Sequence, residues 1–144
     1  MVQVELNKIR SMVKEKQYLE ERIAELEQQI YGLKPLSTER TSKGTSDNDT
    51  LTSLIASRDK LQKTLAEKLI RINQAEQNVE EAIEILTPEE RTVIRYYYLK
   101  GLSWERVAMR TRYSEKWLRE FRNSAIKKLQ KKQNSSANFL LIPY

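Results

Sequence analysis

Apolar residues recur at alternating intervals of three and four residues in two long stretches of this chain. The first stretch carries them at Ile9, Met12, Leu19, Ile23, Leu26, Ile30 and Leu33. The second carries them at Leu51, Leu54, Leu61, Leu65, Ile72, Val79 and Leu86. Such alternation marks the a and d positions of a heptad repeat, so each stretch predicts a long α-helix with one narrow apolar stripe.

The segment between the two stretches has little to bury. Gly32 and Pro35 end the first helix, and residues 35–50 (PLSTERTSKGTSDNDT) predict a loop. This loop is long enough for the helices to run antiparallel, so residues 1–86 are expected to form an antiparallel coiled-coil hairpin. Because two helices bury only one stripe each, we expect a homodimer through this region. An isolated hairpin and a different protein partner are the alternatives.

Residues 87–132 contain three helix-start signals. The first combines Thr87 as the N-cap, Pro88 at the first helical position and Glu90 as the glutamate of a capping box. It predicts a helix that ends at Gly101, the usual residue of a left-handed C-terminal cap.

The other two signals are the serines of a predicted helix-turn-helix. Ser103 is expected to cap a short helix over residues 104–111, and Ser114 a long basic helix over residues 115–132. Two helices joined by such a short turn match the helix-turn-helix motif. If the turn keeps its usual left-handed residue, Arg112 adopts that conformation at a cost of roughly 1 kcal/mol. Otherwise the turn differs, and the two helices cross at another angle.

The predicted fold is therefore all-α. An N-terminal antiparallel coiled-coil hairpin (1–86) precedes a three-helix domain (87–132) and a tail (133–144). The tail is polar and then mostly apolar. We expect it to fold back onto a helix groove, and a short motif that docks on another protein is the alternative.

Charge is divided unevenly along the chain. Residues 1–86 carry 13 Lys and Arg against 15 Asp and Glu, whereas residues 87–144 carry 13 against 5. A net charge of −2 is thus followed by +8, within a total of +6. Clustered positive charge predicts a polyanion partner, most often nucleic acid, with a solvated basic surface as the alternative.

Cysteine and histidine are both absent from the sequence. Their absence excludes disulfides and zinc sites of the Cys/His kind, and it removes the commonest general base and the common catalytic triads. We therefore expect a protein that is not an enzyme and needs no metal or cofactor. Since no run of 18 apolar residues occurs, we also expect no membrane segment and a cytoplasmic location.

Residues 86–129 resemble region 4 of bacterial sigma factors. The resemblance is carried by Gly101-Leu102-Ser103-Trp104-Glu105, Val107-Ala108, Ser114 and Ala125-Ile126-Lys127-Lys128-Leu129. Thr111-Arg112 departs from the family's Leu-Gly pair, and Phe121 stands at a basic position of the family. A coiled coil before such a module is similar to small phage late-gene transcriptional regulators, the ArpU/RinA-like group. The resemblance implies transcription control on double-stranded DNA and permits contact with RNA polymerase.

One face of the last helix is predicted to enter a major groove. Its opposite, buried stripe consists of Leu118, Phe121, Ala125 and Leu129. Arg119 suits guanine, Asn123 adenine and Glu120 cytosine, while Lys116 and Lys127 suit phosphates. The full predicted DNA-binding set is Ser103, Trp104, Arg112, Ser114, Lys116, Trp117, Arg119, Glu120, Asn123 and Lys127. For Trp117, a sugar or thymine-methyl contact and packing against the preceding helices are equal alternatives.

Other functions fit parts of the pattern. A coiled-coil structural or interaction protein is favoured by the outward Glu115 and Glu120, and an RNA-polymerase-binding factor without direct DNA readout is similar. A phage DNA-packaging subunit combines the same two elements, but here the coiled coil comes first. A nuclease fits least, because the close pair Asp47 and Asp49 lies in the predicted loop without supporting carboxylates.

Overall fold

The computed structural model of the chain describes residues 1–33, 44–136 and 141. Its α-helices are α1 (Val2–Leu33), α2 (Gly44–Ala82), α3 (Pro88–Ile94), α4 (Trp104–Thr111) and α5 (Glu115–Ser135). A 3-10 turn (Ile83–Ile85) follows α2, and a π-helical turn (Arg95–Leu99) continues α3. The described residues contain no β-strand, which confirms the expected all-α class. None of these helices has an apolar stretch that would span a bilayer.

The helices divide into two compact units. The larger unit comprises Met1–Glu15 and Ile70–Tyr144, and the smaller unit comprises Lys16–Leu69. This division differs from the predicted boundary at residue 86. The beginning of α1 and the end of α2 belong with α3, α4 and α5, so residues 87–132 are one part of a larger packing unit.

The core of the larger unit explains this difference. The two long helices contribute a row of almost completely buried residues, namely Val2, Leu6, Ile9, Val13, Ile72, Ala75, Val79 and Ala82. These side chains form one cluster with Ile94, Tyr98, Ala125 and Leu129. On α2 the heptad pattern included Ile72 and Val79. On α1 it began only at Ile9, and it included the half-buried Met12 instead of the buried Val13.

A second, smaller cluster lies among α3, α4 and α5. Its buried residues are Val93, Val107 and Leu118. Half-buried side chains surround them, namely Tyr96, Leu102, Trp104, Ala108 and Phe121. Since so few side chains are buried there, the C-terminal helices depend on α1 and α2 for most of their core.

The smaller unit buries α1 more completely than α2. On α1, the buried residues are Leu19, Ile23, Leu26 and Ile30. On α2, the apolar residues of this unit are only half-buried, namely Leu51, Leu54, Ile55, Leu61, Leu65 and Leu69. The Gln62 Nε2 amide donates to Glu27 Oε1 at 3.4 Å, which connects the two helices.

The second helix begins earlier than the sequence predicts. Residues 44–50 are helical, although the loop was expected over 35–50. Helix elongation needs only one further residue at a time once a nucleus exists, so a polar segment of modest propensity joins a long helix readily. Residues 34–43 of the expected loop lie outside the described residues.

Leu141 shows that the tail folds back at this position. Its side chain is 1% exposed and belongs to the core of the larger unit. Its backbone N–H donates to Glu5 Oε2 at 3.1 Å, and its carbonyl oxygen accepts from Asn78 Nδ2 at 3.2 Å. The expected folding back is thus confirmed for Leu141, while α5 continues to Ser135, beyond the predicted end at residue 132. Residues 137–140 and 142–144 lie outside the described part of the tail.

Candidate nucleic-acid interface

A buried carboxylate fixes α3 against α5. Glu90 is 3% exposed and completes the predicted capping box, since Thr87 Oγ1 accepts from the Glu90 N–H at 3.2 Å and Glu90 Oε1 accepts from the Thr87 N–H at 3.0 Å. Lys128 Nζ of α5 donates to the same oxygen at 2.8 Å. Burial raises the pKa of Glu90, but hydrogen bonds from Lys128, Ser124 and the Thr87 backbone outweigh it, so its pKa lies below the ordinary value of 4.5.

The turn before α4 needs a glycine. Gly101 has a φ of 69°, and the Leu102 N–H donates to the Tyr96 carbonyl oxygen at 3.1 Å. Ser103 then accepts from the Arg106 N–H at 3.3 Å, as predicted for an N-cap. The sequence therefore identified both the end of the preceding helix and the start of α4.

The turn between α4 and α5 is left-handed at Arg112. This residue has φ 65° and ψ 10°, and its N–H donates to the Ala108 carbonyl oxygen at 2.8 Å. Of the two alternatives for this turn, the one with a left-handed Arg112 is therefore present. Ser114 then caps α5 by accepting from the Trp117 N–H at 3.2 Å. The hydroxyls of Ser103 and Ser114 both serve as helix caps, and both residues are exposed.

The buried stripe of α5 is close to the predicted one. Leu118, Ala125 and Leu129 are completely buried, and Phe121 is half-buried. The opposite side, here called the outward face, consists of Lys116, Arg119, Glu120, Asn123 and Lys127, all of which are exposed. α5 therefore places these five predicted residues together on one accessible surface.

Local contacts on the outward face are weak. Arg119 Nη2 lies 3.5 Å from Glu115 Oε1, and both side chains are about half exposed. An exposed pair of this kind contributes less than about 1 kcal/mol. Asn123 Oδ1 accepts from Arg122 Nε at 3.3 Å and from Arg122 Nη2 at 3.2 Å. A polyanion can thus engage this face at small cost.

The two tryptophans have different positions. Trp117 is 54% exposed in the first turn of α5, with its ring centroid 5.9 Å from that of Phe121. Trp104 is half-buried and stacks on Tyr97 at 4.0 Å between centroids, with an interplanar angle of 13°. Trp117 is therefore available to a ligand, whereas the indole of Trp104 belongs to the packing of α4.

Sequence reasoning missed Arg10, a residue of α1. Its Nε donates to the Tyr97 carbonyl oxygen at 3.0 Å, and its Nη2 donates to the Leu102 carbonyl oxygen at 3.1 Å. Arg10 is a charged residue next to the heptad stripe, and nothing in the sequence around it predicts a contact with the turn before α4. The exposed Arg106 and Arg110 of α4 were also left out of the predicted set, and Arg110 Cζ lies 5.9 Å from the centroid of the Tyr96 ring.

In the described part of the chain, no group of three or more acidic side chains is placed to hold a metal ion. No curated protein and no solved structure matches this chain. The sequence model of one family, described as "Protein of unknown function (DUF722)", matches residues 3–131. The match extends over the residues of both compact units and includes the whole outward face of α5. The chain therefore belongs to the DUF722 family.

Proposed function

We propose that this protein is a sequence-specific DNA-binding transcriptional regulator, in which α4, the Arg112–Tyr113 turn and α5 act as a helix-turn-helix. The outward face of α5 carries the proposal, because it combines three cations and an amide on one exposed surface opposite a buried stripe. α5 has 21 residues and is about 31 Å long, which suits a helix that lies in a major groove and extends past it.

The outward face divides into base-reading and phosphate-binding positions. Arg119 presents a planar fork that matches guanine, and the amide of Asn123 matches adenine. Glu120 accepts from the amino group of cytosine. Lys116 and Lys127 lie at opposite ends of the face, where a groove-bound helix meets the phosphate backbones. Trp117 adds an exposed apolar surface suited to a thymine methyl group.

We propose further that residues 1–86 form an antiparallel coiled-coil hairpin that dimerises. In the smaller unit, the apolar stripe of α2 from Leu51 to Leu69 is only half covered, so a second helix pair has apolar surface to bury.

A second candidate function is contact with RNA polymerase or another protein without direct DNA readout. It is favoured by Met109 on α4, which is 75% exposed in a helix whose other large apolar residues are covered. A methionine at a surface of this kind suits a protein contact. Under this function, substitution of the exposed Met109 by Gln should weaken the protein contact.

The test of the main proposal is selection of bound duplexes from random DNA with the full chain, followed by a salt titration on the selected site. The logarithm of the binding constant should fall with the logarithm of salt concentration with a slope of several units. The variant with Lys116→Ala and Arg119→Ala should bind at least tenfold more weakly, and its slope should be about one unit smaller, because only Lys116 is assigned to a phosphate.

The matched control removes two charges elsewhere. Lys60 and Lys63 are exposed on α2, and their double substitution by Ala should leave both affinity and slope unchanged. Selection of no sequence, or equal binding by the two double variants, would favour the protein-interaction function. An operator with two symmetric half-sites, together with a dimer in sedimentation of the full chain, is the expected result for the proposed assembly.

A further inference from the structure

Arg10 holds the turn that precedes α4. Its guanidinium donates to the Tyr97 carbonyl oxygen, within the π-helical turn, and to the Leu102 carbonyl oxygen, one residue before the Ser103 cap. One α1 side chain thus connects the residues on either side of Gly101. Because a carbonyl at a helix end has no partner within its helix, this contact satisfies groups that would otherwise need water.

The same guanidinium begins a stack of planar groups. Arg10 Cζ lies 4.1 Å from the centroid of the Tyr97 ring. Tyr97 stacks on Trp104 at 4.0 Å, and Arg122 Cζ lies 5.3 Å from the Trp104 ring. The stack therefore runs from α1 through the π-helical turn and the first residue of α4 to α5.

We infer that Arg10 is a positioning residue for DNA binding, through which α1 sets the orientation of α4 against α5. This inference rests on the proposed function. Trp104, the third group of the stack, also lies 6.0 Å from Arg119 Cζ, so its position affects a proposed base-reading side chain directly. Since base contacts depend on geometry within about 1 Å, a small shift of α4 weakens them.

Arg10 acts through packing and makes no contact with DNA of its own. Its side chain is half-buried, and the donors named above are used on protein carbonyls. Lysine has a compact ammonium that cannot bond both carbonyls and stack on the ring together. Arg10→Lys therefore keeps the positive charge but loses the paired hydrogen bonds and the stacking. A phosphate contact should tolerate this change, whereas a positioning residue should not.

The experiment compares Arg10→Ala, Arg10→Lys and Lys8→Ala in the full chain. Lys8 is exposed and lies two residues, or about 200°, around α1 from Arg10, so it is a matched loss of charge. Binding of the selected duplex should fall about tenfold in both Arg10 variants and stay unchanged in Lys8→Ala. The salt slope should remain that of the wild type in all three, because no phosphate contact is lost.

A measurement without DNA completes the test. Hydrogen exchange of the Leu102 amide and of the first amides of α4 should accelerate at least tenfold in Arg10→Ala, while α1 keeps its protection. Full affinity in Arg10→Lys with a reduced slope in Arg10→Ala would overturn the inference in favour of a phosphate contact. Unchanged exchange would overturn it whether or not DNA binds, and failure of the wild type to bind any duplex would count against the proposed function alone.

Discussion

Lys128 and Glu90 form a hydrogen-bonded ion pair of 2.8 Å between α5 and α3, in which the carboxylate is 3% exposed and the ammonium remains accessible. The pair joins the capping box of α3 to the helix that carries the outward face. Its importance lies in the carboxylate, because a buried charge that loses its partner destabilises a fold more than an exposed pair stabilises it.

This pair makes stability depend on pH in the acid range. The pKa of Glu90 is lowered in the folded state, so its contribution is complete above the ordinary value of 4.5 and is lost as the pH falls through the folded value. In Lys128→Met, the free energy of unfolding at pH 7 should fall by about 2 kcal/mol. Urea titrations between pH 3 and pH 7 should show a shallower pH dependence for this variant than for the wild type. Equal slopes would contradict the role given to the pair.

The left-handed backbone of Arg112 can be tested by glycine substitution. The same substitution should have opposite effects on stability at Arg112 and at Arg110. Arg112→Gly should raise the free energy of unfolding by about 1 kcal/mol, because glycine adopts a φ of 65° without steric cost. Arg110→Gly should lower it by about 1 kcal/mol, since Arg110 lies within α4. Thermal unfolding of both variants measures the difference, and a destabilised Arg112→Gly would show that the turn is held by the side chain.

The burial of Leu141 predicts that the tail contributes to stability. Leu141→Ala removes a buried side chain between α1 and α2, and it should cost about 2 kcal/mol. Ile85→Ala is the control, because Ile85 is 49% exposed and its loss should cost less than about 0.5 kcal/mol. Chemical denaturation of the two variants decides the matter. Equal stabilities would mean that the Leu141 contact adds nothing.

The C-terminal helices should not fold without α1 and α2. A fragment of residues 87–136 loses the partners of Ile94, Tyr98, Ala125 and Leu129. We expect its far-ultraviolet circular dichroism to show little helix and no cooperative thermal transition, in contrast to the full chain. A cooperatively folded fragment would restore the domain boundary predicted at residue 86.

The proposed contact of Trp117 with a thymine can be tested by changing the DNA. If its exposed ring packs on a 5-methyl group, replacing one thymine of the selected site by deoxyuridine should weaken binding a fewfold. Trp117→Ala should bind both duplexes equally and more weakly than the wild type binds the thymine duplex. If no such replacement changes the affinity of the wild type, Trp117 does not contact a thymine methyl group.

Local chemistry determined much of what the sequence alone predicts. The caps at Thr87, Ser103 and Ser114 and the left-handed Arg112 depend on residues within one or two turns of each other, so they can be identified without a fold. The outward face of α5 is equally local, because it follows from the position of Leu118, Ala125 and Leu129 on one helix.

Only the tertiary structure decided which surfaces meet. An apolar stripe on a helix indicates that another surface covers it, but it does not identify that surface. The sequence therefore did not predict that the beginning of α1 and the end of α2 share one core with α3 and α5. Arg10 and Tyr97, which are in contact, are separated by 87 positions in the sequence. Leu141 and Glu5 are separated by 136 positions. Such contacts form when helices are already packed, and no local pattern encodes them.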